Sequence, residues 1–186
     1  DQYGVTRLRT TADKELLFLD LNREYAEELA GELAELGLSA SPSAFRRDII
    51  SCTGLEFCKL AHVVTKQRAI ELVDELEERL GDLDVPLKIS LNGCPNSCAR
   101  SQVADIGLSG KVLTDDDGNR VEGFQVHLGG KVGLQPGFGR KVRGNNVFST
   151  DLGDYVVRVV SRFKEEREPG EQFSAWVARA DEEALV

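Results

Sequence analysis

The apolar positions of this chain follow two rhythms, and the change from one to the other marks its elements. Leu16-Leu17-Phe18-Leu19 is a nearly continuous apolar run, the pattern of a strand buried on both faces. With residues 5–10 it predicts two short strands, 5–10 and 15–21, joined by residues 11–14. Then Tyr25, Leu29, Leu33 and Leu36 recur at steps of four, four and three, the spacing of one helix face. Asn22 is a suitable N-cap and Gly37 a suitable stop. Residues 38–45, with Ser39, Ser41, Pro42 and Ser43, read as a connector that leads through Ile49-Ile50 to the first cysteine.

After Cys58 a stripe of Val63, Ile70, Val73, Leu76 and Leu80 predicts a helix reaching Leu80, where Gly81 ends it. Glu75 precedes Arg79 by four residues, a favourable pair on such a helix. Strands are predicted over 87–91 and 103–108, with a hairpin of 111–114 and 121–128 around Asp115-Asp116-Asp117-Gly118-Asn119. That acidic turn is not a calcium loop, because no glutamate stands twelve positions on from any of its aspartates. Residues 129–146 read as a glycine-rich, flexible basic loop with Lys131, Arg140, Lys141 and Arg143 and no acidic residue. Gly137-Phe138-Gly139 does not complete a dinucleotide fingerprint, since Val142 holds the third glycine position. Two further helices are predicted, 152–167 and 171–184, broken by Pro169-Gly170, with Trp176 packing inside.

Composition narrows the class. The 186 residues are 41% hydrophobic and 30% charged, as in a folded soluble protein rather than a disordered one. No run approaches the ~20 apolar residues of a membrane span, and Asp1-Gln2-Tyr3-Gly4 has no signal-peptide character. A cytoplasmic, reducing setting is expected, which favours thiolate ligands over disulfides. The net charge of −9 argues against a nucleic-acid partner. There is no methionine, so the chain is expected to be a piece of something longer.

All four cysteines fall in two loops, Cys52-Thr53-Gly54-Leu55-Glu56-Phe57-Cys58 and Asn92-Gly93-Cys94-Pro95-Asn96-Ser97-Cys98-Ala99-Arg100. Each pair sits at a junction between predicted elements, where backbone N–H groups are free to face sulfur. Four thiolates suit a tetrahedral zinc, although C-x5-C is wide for a zinc knuckle. They also suit an iron–sulfur cluster, for which Gly54, Ala61, Gly93 and Ala99 would let the backbone come close. Spacing leaves both open, with structural thiols or disulfides as a third reading. His62 and His127, in a helix start and a strand, read as packed or surface histidines.

These two loops, with Ala104-Asp105-Ile106-Gly107 and Val126-His127-Leu128-Gly129-Gly130, resemble the siroheme and [4Fe-4S] domain of assimilatory sulfite and nitrite reductases. The likeness runs from about Asp48 to about Arg179 and is greatest to ferredoxin-dependent sulfite reductases of the actinobacterial type. It implies an α+β fold, a mixed sheet with flanking helices. Residues 39–186 would form the cofactor-binding domain, and residues 1–38 the end of a second ferredoxin-like half-domain.

By the same resemblance Cys52, Cys58, Cys94 and Cys98 ligate a [4Fe-4S] cluster, and Cys98 is also the axial ligand of siroheme iron. Ala61 would lie in a close-packed seam beside the cluster. Asn96, Ser97 and Arg100 would contact the cluster loop or the macrocycle. Siroheme carries many carboxylates, which Lys131, Arg140, Lys141, Arg143 and Arg100 would neutralise; ferredoxin competes for the same basic segment, and ordinary solvated surface charge is the plain alternative. The implied reaction is six-electron reduction of sulfite to sulfide, or of nitrite to ammonia, a small oxyanion in either case. The groups that clamp that oxyanion are expected in the N-terminal half of such an enzyme, with which this chain would pair.

Overall fold

The computed structural model describes residues 2–12, 14–81 and 83–186; Asp13, in the predicted link between the first strands, lies outside them, as does the side chain of Arg143. The chain divides into two compact units, 1–42 and 43–186.

In the first unit, β1 (Arg7–Thr10) pairs antiparallel with β2 (Leu16–Leu19). Leu16 and Leu17 are exposed, so the expectation of a strand buried on both faces is corrected. A two-stranded ribbon offers one packing face only. Asn22 does cap, but it caps a 3-10 turn, its Oδ1 accepting from the Glu24 N–H at 3.3 Å, before α1 (Ala26–Glu35) begins. Gly37, at φ +78°, stops the helix in the left-handed conformation that glycine adopts without steric cost.

The second unit opens with a helix inside the predicted connector. Ser43 Oγ accepts from the Arg46 N–H at 3.0 Å and starts α2 (Ala44–Asp48), whose Arg46 is held by Asp74 and Glu77. Next come β3 (Ile49–Ser51), α3 (Lys66–Leu80), β4 (Ile89–Asn92), β5 (Ile106–Thr114), β6 (Arg120–Leu128), β7 (Arg140–Phe148), α4 (Leu152–Glu166) and α5 (Phe173–Arg179). The sheet runs in chain order from β3 to β7. β3, β4 and β5 are parallel, and β5, β6 and β7 are antiparallel. This is the expected α+β architecture, a mixed sheet with flanking helices.

Two expectations are corrected here. Residues 58–65 are not helical: α3 begins at Lys66, so His62 lies in the loop, and Ile70 is exposed while Ala69, Leu72, Val73 and Leu76 form the buried face. The second half of the basic segment is strand β7, not a flexible loop. Opposite His127 and Gln125 of β6 stand Lys141 and Asn146, so residues 142–145 bulge where β6 has only Val126. The bulge interrupts the two-residue alternation by which a strand is recognised. Asn145 ties the bulge inward: Gln125 Nε2 donates to the Asn145 carbonyl at 2.9 Å, and Asn145 Nδ2 donates to Tyr155 Oη at 2.9 Å.

A continuous apolar core lies between the sheet and the helices. Leu72, Val73 and Leu76 of α3 and Val156, Val159, Val160 and Phe163 of α4 join Leu87, Ile89, Leu91, Ile106, Leu108 and Phe124. Trp176 is fully buried among Phe163 and Phe173, and its indole N–H donates to Glu166 at 3.0 Å. The packing role expected of it is the one observed.

Candidate iron–sulfur site

The site follows from one register. β3 and β4 are adjacent and parallel, with Ser51 opposite Leu91, and both strands end in a cysteine loop. Parallel neighbours deliver their following loops to the same edge of the sheet, where open sheets commonly hold ligands. The Cys52 N–H donates to the Leu91 carbonyl at 3.0 Å, extending the ladder one residue into the loops.

The loops are then tied together. The Gly93 N–H donates to Cys52 Sγ at 3.0 Å, and the His62 N–H donates to the Gly93 carbonyl at 2.6 Å. Within the first loop the Cys58 N–H reaches the Gly54 carbonyl at 2.9 Å and the Leu55 N–H the Val63 carbonyl at 3.0 Å. Thr65, fully buried ahead of α3, donates its hydroxyl to the Cys52 carbonyl at 2.7 Å. Backbone groups that a helix would have used internally are spent on fastening the loops, which is why 58–65 stays irregular.

Glycine is required twice. Gly54 has φ +70°, and a Cβ there would lie 2.4 Å from Thr65 Oγ1. A Cβ on Gly93 would lie 2.8 Å from the Cβ of Ala61, so Ala61 forms the seam between the loops.

The second loop is braced from below. Asn92 Oδ1 accepts from the Ala99 N–H at 2.6 Å, while Asn92 Nδ2, buried, has no partner among the described residues. Ser97 is committed to the turn, accepting from the Ser101 N–H at 3.0 Å and donating to Gln102 Oε1. Ser97 and Arg100 both adopt positive φ, +57° and +61°, which opens the turn around Cys98.

Gln102, unnoticed in the sequence, joins the basic segment to this loop. Its side chain accepts from Ser97, and its carbonyl accepts from the Gly139 N–H at 2.6 Å, one residue before Arg140. Gly130 packs against the same stretch, where a Cβ would meet the Ala104 and Gln102 carbonyls. Asp105 holds the base, accepting from the Lys88 N–H at 2.9 Å; burial pushes its carboxyl up to about 6 despite that bond.

Asn96, Arg100, Arg140 and Lys141 are exposed, and Arg140 stands 3.9 Å from Glu182, too loose and too solvated to hold it. His127 faces Lys141 across the strands; burial, then that neighbouring charge, lowers its pKa.

The four thiols are unpaired, Cys94 buried, Cys52 and Cys58 half-buried and Cys98 exposed. Among the described residues no three His, Cys, Asp or Glu side chains converge as a single-ion site. Zinc needs all its sulfurs about 2.3 Å from one point; a cubane takes one thiolate at each of its irons, so its ligands stand farther apart. A backbone N–H already aimed at Cys52 sulfur, two glycines at the closest approaches and an unpartnered buried carboxamide all fit a cluster with several sulfur acceptors.

Residues 43–186 match the family model described as the nitrite and sulphite reductase 4Fe-4S domain. The chain belongs to this family. Its members use a [4Fe-4S] cluster and siroheme. The chain is 51% identical, over an alignment that covers 99% of its length, to "Sulfite reductase [ferredoxin] 2" of Mycolicibacterium paratuberculosis. It is 38% identical over 164 residues, 88% of its length, to "Ferredoxin--nitrite reductase" of Synechococcus elongatus. The solved structure of the Mycobacterium tuberculosis NirA protein covers the whole chain at 49% identity with a TM-score of 0.95. The chain spans 34% of the first of these relatives, 31% of the second and 35% of the solved chain.

Proposed function

We propose that this chain is the cofactor-binding part of a ferredoxin-dependent reductase that converts sulfite to sulfide. The observation that carries the reading is the parallel register of β3 and β4, which brings both cysteine pairs to one edge of the sheet. Cys52, Cys58, Cys94 and Cys98 hold the [4Fe-4S] cluster. When bound, the cluster and siroheme supply single electrons to an oxyanion. Cys98 would also ligate the siroheme iron. In support, a sulfur shared with a second group has to be reachable from outside, and Cys98 is the exposed thiol of the four.

Around it, Asn96 and Arg100 border the same turn, and Gln102 brings the start of β7 to it. Lys131, Arg140, Lys141 and Arg143 offer positive charge to the macrocycle's carboxylates, through charge-assisted bonds that hold it in place. Ferredoxin is the electron donor. Residues 1–38 are the end of a ferredoxin-like half-domain, and an N-terminal part of the same enzyme closes the substrate side. Phe57, Leu60, Leu134 and Phe138 support this: all are strongly exposed, and large apolar side chains in such number are commonly covered in an assembly. Four free thiols suit the cytoplasm, and no helix among the described residues is long and apolar enough to cross a membrane.

Sulfite is favoured over nitrite because the sulfite reductases share about half of the aligned residues across almost the whole chain, against 38% for the nitrite reductase. The test is kcat/KM for sulfite and for nitrite on the enzyme containing this chain, with reduced ferredoxin. A higher value for sulfite supports the reading; a higher value for nitrite reverses it. The shared ligand is tested by Cys98→Ser, in which magnetic coupling between cluster and siroheme is expected to vanish; retained coupling would refute the bridge.

A further inference from the structure

Among the described residues, Asn92 is a buried side chain near the cysteines whose hydrogen bonding is half finished. It closes β4 two residues before Cys94 and is 1% exposed. A carboxamide has one acceptor oxygen and two N–H donors. Its oxygen is fixed by the Ala99 N–H at 2.6 Å, and because that partner is itself a donor, the amide cannot be turned the other way round. The nitrogen shares a carbon with that oxygen, so it lies within the turn carrying Cys94 and Cys98, yet it has no acceptor among the described residues. An unmet buried donor loses its water hydrogen bonds without replacement, and such groups in native proteins ordinarily have a partner. The neighbouring Gly93 N–H already donates to a cysteine sulfur.

We propose that the Asn92 side-chain N–H donates a hydrogen bond to a sulfur of the cluster, thiolate or sulfide, and raises its reduction potential. This rests on the assignment of the four cysteines to a [4Fe-4S] cluster. A donor to cluster sulfur stabilises the reduced, more negative state over the oxidised one. Asn92 is a positioning and tuning residue: one end holds the loop at Ala99 and the other sets the electron affinity of what the loop carries.

The test is an EPR-monitored redox titration of the iron–sulfur-loaded protein with Asn92, Asn92→Asp and Asn92→Ala. Asn92→Asp keeps the acceptor for the Ala99 N–H and removes the donor; Asn92→Ala removes both. Both variants are expected to be harder to reduce, by on the order of tenfold in the reduction equilibrium, about 59 mV for one electron. Unchanged potentials with full iron and sulfide content would overturn the proposal. Should either variant lose its cluster, electron–nuclear double resonance on the unsubstituted protein labelled with 15N-asparagine decides: a coupled side-chain nitrogen supports the bond, and its absence refutes it. An unsubstituted protein that binds no iron and sulfide would instead refute the cluster assignment itself.

Discussion

The backbone N–H of Gly93 points at the sulfur of Cys52 across 3.0 Å, so the second cysteine loop holds a cysteine of the first. Residues 41 apart in sequence thus share one small volume because β3 and β4 run parallel side by side. The consequences concern stability, cluster retention and pH.

Gly93→Ala is expected to part the two loops. The new Cβ would stand 2.8 Å from the Ala61 Cβ, and neither group can rotate away. Overpacking of this kind costs about 1–3 kcal/mol. Urea unfolding should show that loss, and iron content after reconstitution should fall with it; unchanged values would mean that the seam yields freely.

Thr65→Val conserves shape but removes the hydroxyl that donates to the Cys52 carbonyl at 2.7 Å. With Thr65 fully buried, no water replaces it. A loss of about 1–3 kcal/mol is expected, together with faster release of iron to a chelator. Thr65→Ser, which keeps the hydroxyl, should restore most of the retention.

Asp105 sets a pH dependence. Its carboxyl is raised from the ordinary 3.8 to about 6, with burial as the leading cause. A raised folded pKa means that its favourable contribution is full below about pH 4 and is lost as the pH climbs through 6. Asp105→Asn keeps an acceptor for the Lys88 N–H without the charge. The variant should be the more stable one above pH 6, by on the order of 2 kcal/mol, and the two should converge near pH 4. Equal stability of both proteins across that range would contradict the assignment.

Much of this molecule is legible in its sequence. The cysteine loops stand at junctions between elements, as expected, the hairpin around Asp115 forms, with Asp115 Oδ1 accepting from the Asn119 N–H at 2.7 Å, and Trp176 packs in the core. What escaped the reading has specific causes. β7 is hard to recognise because its bulge at 142–145 breaks alternation, and Gly144 with Gly137 and Gly139 just ahead of the strand imitates a loop. The stretch 58–65 resembles a helix because Val63 continues the apolar stripe, whereas the His62 N–H is drawn to the Gly93 carbonyl and the Val64 N–H to the Glu122 carboxylate. Gln102 carries no pattern signal, and Asn92, although it opens the second cysteine loop, gives no sign of its partners in the sequence. Their importance lies in which groups they reach, and that depends on strand register.

The four cysteines are proposed to hold one [4Fe-4S] cluster. The most direct test is Mössbauer spectroscopy with iron and acid-labile sulfide analysis of the anaerobically reconstituted protein, alongside Cys94→Ser. About four iron and four sulfide per chain are expected, with the cubane spectrum lost or altered in the variant. A single zinc without sulfide, or a cubane spectrum untouched by Cys94→Ser, would contradict it.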